Sequence, residues 1–215
     1  MIAAMRITFI GSGNVGAALA NNLQRSGHDV TLAKVSEGSE SLARALARNP
    51  GLRAEPVKSA VAAAEIVFLA TPFQAHEAAL TGVAAELAGK ILVDCTNPVG
   101  PGLSHGLKSE GSGSEKIQRL VPEAKVVKAF TIYGFENFED SAYPGYDVKP
   151  AMLFCGDDAG AKKAVGELIG QLGWEPVDVG GLQQALHLEH MTLLWVRMVR
   201  AGGGSPNLVW AALRR

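Results

Sequence analysis

The stretch RITFIGSGNVG at residues 6–16 combines a short apolar run with the spacing Gly-x-Gly-x-x-Gly. The apolar run at 6–10 predicts a strand, and apolar residues at helical spacing in 14–25 predict a helix directly after it. The glycines therefore occupy a strand-to-helix turn, which is the context that a dinucleotide-binding motif requires. The stretch predicts a βαβ unit that binds a dinucleotide at its first turn.

Each glycine of this turn has a separate physical role. Gly11 permits the tight turn, Gly13 lets the backbone approach a pyrophosphate, and Gly16 lets the helix pack closely on the strand. Free N–H groups of the first helical turn then point at the phosphates, helped by the helix dipole. The predicted phosphate-binding residues are Gly11, Ser12, Gly13, Asn14, Val15 and Gly16. A glycine-rich turn without a ligand is the alternative.

The end of the second predicted strand indicates which dinucleotide binds. Units that bind NAD usually place a carboxylate there, about 20 residues beyond the glycine loop, to hold the ribose 2′-OH. Residues 32–36 read LAKVS and contain no carboxylate, although Glu37 follows closely. The cation of Lys34 and the hydroxyl of Ser36, with Val35 between them, suit a 2′-phosphate, so we predict NADP(H). The alternative is that Lys34 is a solvated surface lysine.

Apolar runs alternate with helical patterns along the whole chain, and this alternation favours parallel strands with helices on both faces. We predict an α/β fold: a Rossmann-like, doubly wound, mostly parallel sheet with a C-terminal helix packed on it. One NADP(H)-binding domain is expected to span 1–215. The predicted strands are 6–10, 29–33, 52–55, 65–70, 90–95, 125–130, 151–156 and 175–179. The predicted helices are 14–25, 39–48, 60–64, 77–87, 115–120, 159–172 and 182–199. Residues 97–113 are expected to form a loop and residues 135–146 to be irregular.

Composition limits the classes of partner. Of the 215 residues, 47% are apolar and 19% are charged, which suits a sizeable buried core. The net charge of -1 and the lack of a basic run argue against a nucleic acid or an anionic membrane. No apolar stretch approaches the roughly 18–20 residues of a membrane span. Cys95 and Cys155 lie in strand-like stretches and, with no secretory leader before the first strand, predict a cytoplasmic location.

Ligands of open parallel sheets lie beyond the carboxyl ends of the strands, so residues at those ends are candidates. Beyond the predicted fourth and fifth strands these are Ala70, Thr71, Pro72, Phe73, Asn97 and Pro98. Pro72 is expected to hold the chain extended, and Phe73 to pack on the cofactor. The Asn97 amide is expected to bond a ribose or the nicotinamide carboxamide. Ordinary loop geometry is the alternative, because Pro and Asn are common in turns.

The predicted sixth strand ends at residues 129–133, which read AFTIY. Ala129 is a further cofactor candidate, and Thr131 and Tyr133 are the candidates for a hydroxyl that faces the substrate. We predict no catalytic side chain, because hydride chemistry is supplied by the cofactor.

The histidines predict no metal site. His28 is expected to be exposed in a turn, and His76 and His105 are isolated in the sequence. His187 and His190 share a helix face but lack a third ligand at metal-like spacing, so structural roles are expected.

The sequence resembles the NADP-dependent oxidoreductases of the deazaflavin coenzyme F420, to which the NADPH-binding domain of six-transmembrane metalloreductases is related. The resemblance spans nearly the whole chain and is carried by residues 7–16, 70–73, 93–98, 126–130, 155–158 and 202–206, with Leu194, Trp195 and Arg197. It implies a single α/β domain, homo-oligomers, and hydride transfer between NADPH and a flavin-like ring.

The resemblance also implies roles for particular residues. Phosphate binding falls on Ser12, Gly13, Asn14 and Val15, the 2′-phosphate on Lys34, Val35 and Ser36, and the nicotinamide near Thr71, Asn97 and Ala129. The chain departs from the family at two places. Lys34-Val35 stands where a Ser-Arg pair is common, and Thr131 follows Phe130 where Asn or His usually precedes Thr.

Three functions remain open at this point. The first is hydride transfer between NADP(H) and a deazaflavin co-substrate, by a homodimer. The second is an NADPH-dependent reductase of another small acceptor: a flavin, a ferric chelate or an imine. The third is an NADPH-binding protein without enzymatic activity.

Overall fold

The glycine turn lies where the sequence predicts it, between β1 (Arg6–Ile10) and α1 (Asn14–Arg25). The computed structural model describes residues 3–215. The further strands are β2 (Asp29–Lys34), β3 (Arg53–Pro56), β4 (Ile66–Leu69), β5 (Ile91–Asp94), β6 (Val99–Gly100), β7 (Ser104–His105), β8 (Lys125–Lys128), β9 (Ala151–Gly156) and β10 (Glu175–Asp178). The further helices are α2 (Glu40–Arg48), α3 (Val57–Ala63), α4 (His76–Thr81), α5 (Ala84–Leu87), α6 (Gly113–Leu120), α7 (Phe135–Glu139), α8 (Ala159–Gln171) and α9 (Ala185–Val196). A π-helical turn, Arg197–Ala201, continues α9.

Eight strands form the main sheet in the order β10-β9-β8-β5-β4-β1-β2-β3. The six neighbouring strands β8-β5-β4-β1-β2-β3 pair in parallel. The chain builds one half of the sheet from β1 to β3 and then crosses to β4, so the strand order reverses between β1 and β4. Ligands of such sheets bind at this switch point. β9 runs antiparallel to β8, and β10 is parallel to β9. The predicted mostly parallel, doubly wound sheet is confirmed.

Alternate side chains of the strands enter two separate cores, one on each face of the sheet. In β1 and β4, Phe9 and Phe68 point into the core under α1, α2 and α8, and their rings stack 4.6 Å apart. Ile10 and Leu69 point into the other core, under α3 to α6. Because helices cover both faces, β4 is apolar throughout, and in β1 only the buried Thr8 interrupts the apolar run from Ile7 to Ile10.

Three segments differ from their predicted structure. Residues 97–113 are not a plain loop, because β6 and β7 pair in a short antiparallel hairpin. The helix expected at 77–87 is interrupted at Gly82 between α4 and α5. Residues 135–146 include the short helix α7.

The prediction that His28 is exposed is wrong. The side chain is buried, and both ring nitrogens have partners in the fold. Nδ1 accepts the Met5 N–H at 3.2 Å, and Nε2 lies 2.7 Å from the Gln171 Oε1 of α8.

The C-terminal helix packs on the sheet as predicted, with Leu188 and Trp195 buried in the larger core. The segment after it has no regular structure and runs along β9. There the carbonyl of Trp210 accepts the Ala151 N–H at 2.8 Å, since β8 pairs only with the far end of β9. Among the helices of residues 3–215, none combines the length and the apolarity needed to cross a bilayer.

Candidate functional site

The glycine turn is shaped by how close the neighbouring backbone lies. Gly11 has φ +110°, and a Cβ built on it would lie 2.5 Å from the Ala70 carbonyl oxygen. A Cβ on Gly16 would overlap the Gly11 carbonyl oxygen. A Cβ on Gly13 would meet nothing within 4 Å, so the space in front of this residue is open. Of the three glycines, only Gly13 leaves room for a group to approach where its side chain would stand.

The open space lies at the start of α1, where Gly13 is the N-cap. No side chain within residues 3–215 caps this helix, and its first turn carries no acidic residue. The first intrahelical bond runs from the Ala17 N–H to the Gly13 carbonyl, at 2.8 Å. The N–H groups of Asn14, Val15 and Gly16 are therefore available to an anion, as at other helix N-termini.

A cleft of about 320 Å³ opens beside this turn. It is lined by Gly11, Ser12, Gly13, Ala33, Val35, Ser36, Ser39, Ser41, Leu42, Ala70, Thr71 and Pro72. The ends of β1, β2 and β4 thus bring half of the predicted cofactor-binding residues together at the switch point of the sheet. An extended ligand can reach from the phosphate turn toward the end of β2.

Sequence reasoning missed two serines of this cleft. Ser41 Oγ lies 3.0 Å from Ser12 Oγ and 3.1 Å from Ser39 Oγ, so a chain of hydroxyls links the glycine turn to α2. Ser39 is the N-cap of α2 and accepts the Leu42 N–H at 3.4 Å. Its position before an apolar helical pattern was the available signal.

Lys34 lies at the end of β2, where it was predicted, and its side chain is exposed. It lines a shallow hollow of about 740 Å³ that Ser36, Glu37 and Glu40 also line. Arg44 lies 3.5 Å from Glu40 and offsets the charge of that carboxylate. Lys34 is the cation among the residues that line this hollow.

Two polar side chains beyond β4 are buried without a hydrogen-bond partner in residues 3–215. They are Thr71, a residue that lines the cleft, through its buried Oγ1, and His76, through both ring nitrogens. Burial lowers the pKa of His76 below its ordinary value of 6.5, although the Asp94 carboxylate opposes this shift. Because an unpaired buried hydroxyl is unfavourable, Thr71 is suited to bond a ligand in the cleft.

Phe73 faces α6 in this structure rather than the open cleft. Its ring meets the His76 ring edge-on at 4.7 Å, and Lys116 lies 5.8 Å from its centre. A Cβ on Gly113 would come within 2.8 Å of it. Phe73 thus closes the gap between the end of β4 and the start of α6.

A fully buried cluster of charges lies beneath the ends of β5 and β8. Lys128 Nζ lies 3.0 Å from Asp94 Oδ2 and 3.3 Å from Glu189 Oε1, and it also donates to the Thr96 carbonyl. Asp94 accepts further hydrogen bonds from Thr96 and from Ser114 Oγ, at 2.6 Å from the latter. The cluster ties two strand ends to α6 and α9.

Pairing overcomes burial in setting the pKa values of this cluster. Burial favours the neutral carboxyl of Asp94, but the charge of Lys128 and the bonds from Ser114 and Thr96 hold its pKa below 3.8. Burial likewise opposes the charge of Lys128, but Asp94 and Glu189 raise its pKa above 10.5. Both groups are therefore ionised at neutral pH. The signal in the sequence was a charged residue inside each of two apolar strand patterns.

The hairpin of β6 and β7 is anchored to the same cluster through His105. Its Nδ1 accepts backbone N–H groups of Leu107 and Ser109, so the proton lies on Nε2, which donates to Glu189 Oε2 at 2.8 Å. Arg197 holds the turn of the hairpin by donating to the carbonyls of Gly102 and Leu103. The sequence showed His105 as isolated because its partner lies 84 residues away.

Asn97 and Thr131, both predicted site residues, are in direct contact beyond β5 and β8. Thr131 Oγ1 donates to Asn97 Oδ1 at 2.7 Å, and Thr192 Oγ1 of α9 lies 3.0 Å from Thr131 Oγ1. Ala129 is fully buried at the start of this segment, and its N–H donates to the Asp94 carbonyl at 3.2 Å. Pro98 leads into the hairpin and accepts the Gly106 N–H.

Tyr133 was a predicted substrate-side hydroxyl, but the structure places it elsewhere. Its Oη donates to the Ala151 carbonyl at 2.7 Å and accepts the Trp210 N–H at 3.0 Å. Its ring stacks on Trp174 at 5.2 Å. Because both hydrogen-bonding functions are filled by backbone groups, Tyr133 holds the C-terminal segment in place instead of facing a substrate.

A family model, a curated relative and a solved structure all point to the same family of proteins. The family described as NADP oxidoreductase, coenzyme F420-dependent, matches residues 6–98. A crystal structure from Arthrobacter sp. FB24, assigned as an F420-dependent NADP reductase, is 32% identical, with a TM-score of 0.83 over 93% of this chain and 96% of that one. The F420-dependent NADP reductase of Methanothermobacter marburgensis is 28% identical over 90% of this chain and 92% of its own length.

A metalloreductase is also similar. Metalloreductase STEAP3 of Rattus norvegicus is 32% identical over 191 residues, which are 88% of this chain. The chain spans 37% of the length of that protein, so the similarity covers one part of it.

Proposed function

Because this chain belongs to the family of NADP oxidoreductases that depend on coenzyme F420, we propose that it transfers hydride between NADP(H) and a deazaflavin. The observation that carries this proposal is the uncapped start of α1 behind Gly13, with open space in front of it. A Cβ at Gly13 would fill the space that a pyrophosphate needs. The residues present therefore fit a dinucleotide.

Each part of NADP(H) is assigned to residues in or beside the cleft. The phosphates are held by the turn from Gly11 to Gly16, and the 2′-phosphate by Lys34 and Ser36, beside Val35. Ser39 and Ser41 add hydroxyls to the same end of the cleft. The proposed nicotinamide-side residues beyond β4, β5 and β8 are Ala70, Thr71, Pro72, Asn97, Pro98 and Ala129, whereas Phe73, predicted to pack on the cofactor, faces α6 instead.

Bound NADPH supplies the hydride. The chain binds the cofactor, orients its nicotinamide ring and excludes water from it. Thr71 and Asn97 are uncharged, so they can bond the ring substituents without a proton transfer. Phe130 and Ile132 beside Thr131 are fully buried and keep water out of the layer beneath these side chains. Thr131 was predicted to face the substrate, but its side chain is buried and its hydroxyl contacts Asn97 and Thr192, so it supports Asn97 from within the fold.

The deazaflavin is supported by the family and by the two reductases that match nearly full length. The similarity to a metalloreductase favours a second candidate acceptor, a ferric chelate. Both acceptors would use the same NADPH cleft. They differ in what must fit beside the nicotinamide.

One assay separates the acceptors. The protein is incubated with NADPH and a deazaflavin, a flavin, a ferric chelate or a cyclic imine, and the loss of nicotinamide absorbance is followed. Turnover with the deazaflavin at a rate well above that with the other acceptors is expected. Turnover with a ferric chelate or a flavin alone would contradict the deazaflavin proposal, and NADPH binding without any turnover would contradict enzymatic function.

The NADP(H) preference is tested at Lys34. Replacement of Lys34 by Ala is expected to weaken NADPH binding by about tenfold, because a charge-assisted bond to the 2′-phosphate contributes about 1.5 kcal/mol. NADH, which lacks that phosphate, should bind the variant and the parent equally. Lys163→Ala, on the exposed face of α8, is the matched control. Equal affinity of the parent protein for NADH and NADPH would contradict the preference.

A further inference from the structure

A chain of three side-chain oxygens runs from α9 to the proposed nicotinamide site. Thr192 Oγ1 lies 3.0 Å from Thr131 Oγ1, which in turn lies 2.7 Å from Asn97 Oδ1. Thr192 and Thr131 are both buried, and Asn97 is partly exposed at the end of the chain. Asn97 lies in the segment after β5, Thr131 in the segment after β8, and Thr192 in α9.

The direction of the hydrogen bonds along this chain follows from the donors available. Asn97 Oδ1 can only accept, so the single hydroxyl proton of Thr131 is used in donating to it. Thr131 Oγ1 can then only accept, and the hydroxyl of Thr192 is the donor within reach. The carbonyl of Leu188, 3.1 Å from Thr192 Oγ1, is the competing acceptor for its proton.

The bond from Thr131 places Oδ1 of the Asn97 amide inward and its NH2 group outward. That NH2 group makes no hydrogen bond within residues 3–215, and it is not among the buried polar atoms that lack a partner. It is an open donor at the carboxyl end of β5, next to the end of β4 in the sheet.

We propose that Thr192 is a positioning residue, which acts through Thr131 to hold the Asn97 NH2 as a donor to the carbonyl oxygen of the nicotinamide carboxamide. The inference rests on the proposed NADP(H) function. Thr192 does not itself touch the cofactor. Its role is to keep the amide from turning over and presenting an acceptor instead.

The backbone around Thr131 indicates that its position is enforced. Phe130 has φ +51° and Ile132 has φ +22°, values that side chains with a Cβ seldom adopt. Both side chains are fully buried, so packing holds this backbone in place. Strained residues of this kind cluster at functional sites. Between these two strained residues, the Thr131 hydroxyl lies between α9 and Asn97.

The experiment uses Thr192→Val, which keeps the shape of the side chain and removes the hydroxyl, with Thr192→Ser as its matched control. Two ligands are titrated by calorimetry: NADPH, and adenosine 2′,5′-bisphosphate, which keeps the 2′-phosphate end but lacks the nicotinamide. We expect Thr192→Val to weaken NADPH binding by about threefold to tenfold, as for the loss of one hydrogen bond. Its affinity for adenosine 2′,5′-bisphosphate should not change.

Thr192→Ser restores the hydroxyl and is expected to bind NADPH within about twofold of the parent, a small difference on the scale of one hydrogen bond. A merely structural role would weaken both ligands together, and that result would overturn the inference. Unchanged NADPH affinity in Thr192→Val would overturn it as well. Thermal unfolding of each variant shows whether the fold is kept.

A second variant tests the direction of the amide. Asn97→Asp replaces the NH2 group by a carboxylate oxygen, which can only accept, so NADPH binding should fall at least as far as in Thr192→Val. If Asn97→Asp binds NADPH as well as the parent, the amide is not a donor and the inference fails. Failure of the parent protein to bind NADPH at all would instead contradict the proposed function.

Discussion

Gly11, Gly13 and Gly16 share one turn, but they differ in what a side chain would meet. At Gly11 and Gly16 the neighbouring backbone leaves no room for a Cβ, whereas Gly13 faces open space. The first two glycines are therefore needed for folding and the third for the ligand. The same separation of roles recurs in the polar residues, where Asp94 and Lys128 hold strand ends together and Thr71 and Asn97 keep unused hydrogen-bonding groups.

Alanine at Gly13 should affect NADPH binding, whereas alanine at Gly16 should affect stability. Gly13→Ala is expected to unfold like the parent but to bind NADPH about tenfold more weakly or worse, since overpacking by one methyl group costs about 1–3 kcal/mol. Gly16→Ala is expected to lower the free energy of unfolding by about 1–3 kcal/mol. Urea unfolding and NADPH titration measure the two effects. Gly82→Ala, also with open space around it, is the control, and a stability loss in Gly13→Ala equal to that in Gly16→Ala would contradict the assignment.

His76 makes stability depend on pH near neutrality. Its pKa is below 6.5 in the folded chain because of burial, so the unfolded chain takes up a proton first as the pH falls. The free energy of unfolding should therefore decrease below pH 6.5, by at most about 1.4 kcal/mol per pH unit, until the folded pKa is passed. Asp94, whose pKa lies below 3.8, loses its stabilising contribution only at more acidic pH.

The variant His76→Leu should show a shallower decrease between pH 6.5 and pH 5 in urea unfolding. His187→Leu, an exposed site on α9, should keep the decrease of the parent. Equal pH dependence in the parent and His76→Leu would show that His76 is not the group responsible.

At the scale of elements, β9 shows how the end of the chain completes the sheet. β9 pairs with β8 only through Cys155 and Gly156, so its first residues lack a neighbouring strand on that side. The segment that contains Trp210 supplies the missing hydrogen bond to Ala151. Trp195 of α9 also holds this segment, by donating to the Leu208 carbonyl at 2.8 Å.

Tyr133 joins these elements, so removal of its hydroxyl should loosen the C-terminal segment. Tyr133→Phe loses the bonds to the Ala151 carbonyl and the Trp210 N–H and is expected to unfold about 1–3 kcal/mol more easily. Limited proteolysis should cut residues 202–215 faster than in the parent. Tyr146→Phe, at a side chain that is 72% exposed, should change stability by less than about 0.5 kcal/mol. Slower hydride transfer without any loss of stability would instead indicate a role at the substrate.

At the scale of the whole molecule, assembly and location remain predictions. The assignment of 1–215 to one NADP(H)-binding domain, the homodimer and the cytoplasmic location all come from the sequence. Cys95 and Cys155 are both buried as free thiols, which suits a reducing compartment. Leu194 of α9 and Met198 of the π-helical turn are large apolar side chains that are 51% and 42% exposed.

These two side chains are the place to test the dimer. Light scattering should give twice the mass of one chain for the parent, and the double variant Leu194→Asp, Met198→Asp should shift the protein to the mass of one chain, because charges disfavour an apolar interface. Leu213→Asp changes an 80% exposed residue of the C-terminal segment and should leave the mass unchanged. A parent protein with the mass of one chain would contradict the dimer.

The sequence by itself determined the glycine turn, the alternation of strands and helices, and the candidates at the strand ends. These features depend on residues close together in the chain, because the periods of helix and strand and the demands of a tight turn are local. Lys34, Thr71 and Asn97 could be selected for the same reason, since a parallel sheet brings all its strand ends to one edge.

Only the tertiary structure decided the reversed direction of β9, the role of Tyr133, the burial of His28 and the partners of Lys128 and Asn97. Lys128 meets Asp94 across 34 residues and Glu189 across 61, and Thr131 meets Thr192 across 61. No local pattern encodes such contacts, because they exist only once strands and helices from distant parts of the chain have packed. A buried polar atom finds its partner in space, and the order of residues does not say which one it will be.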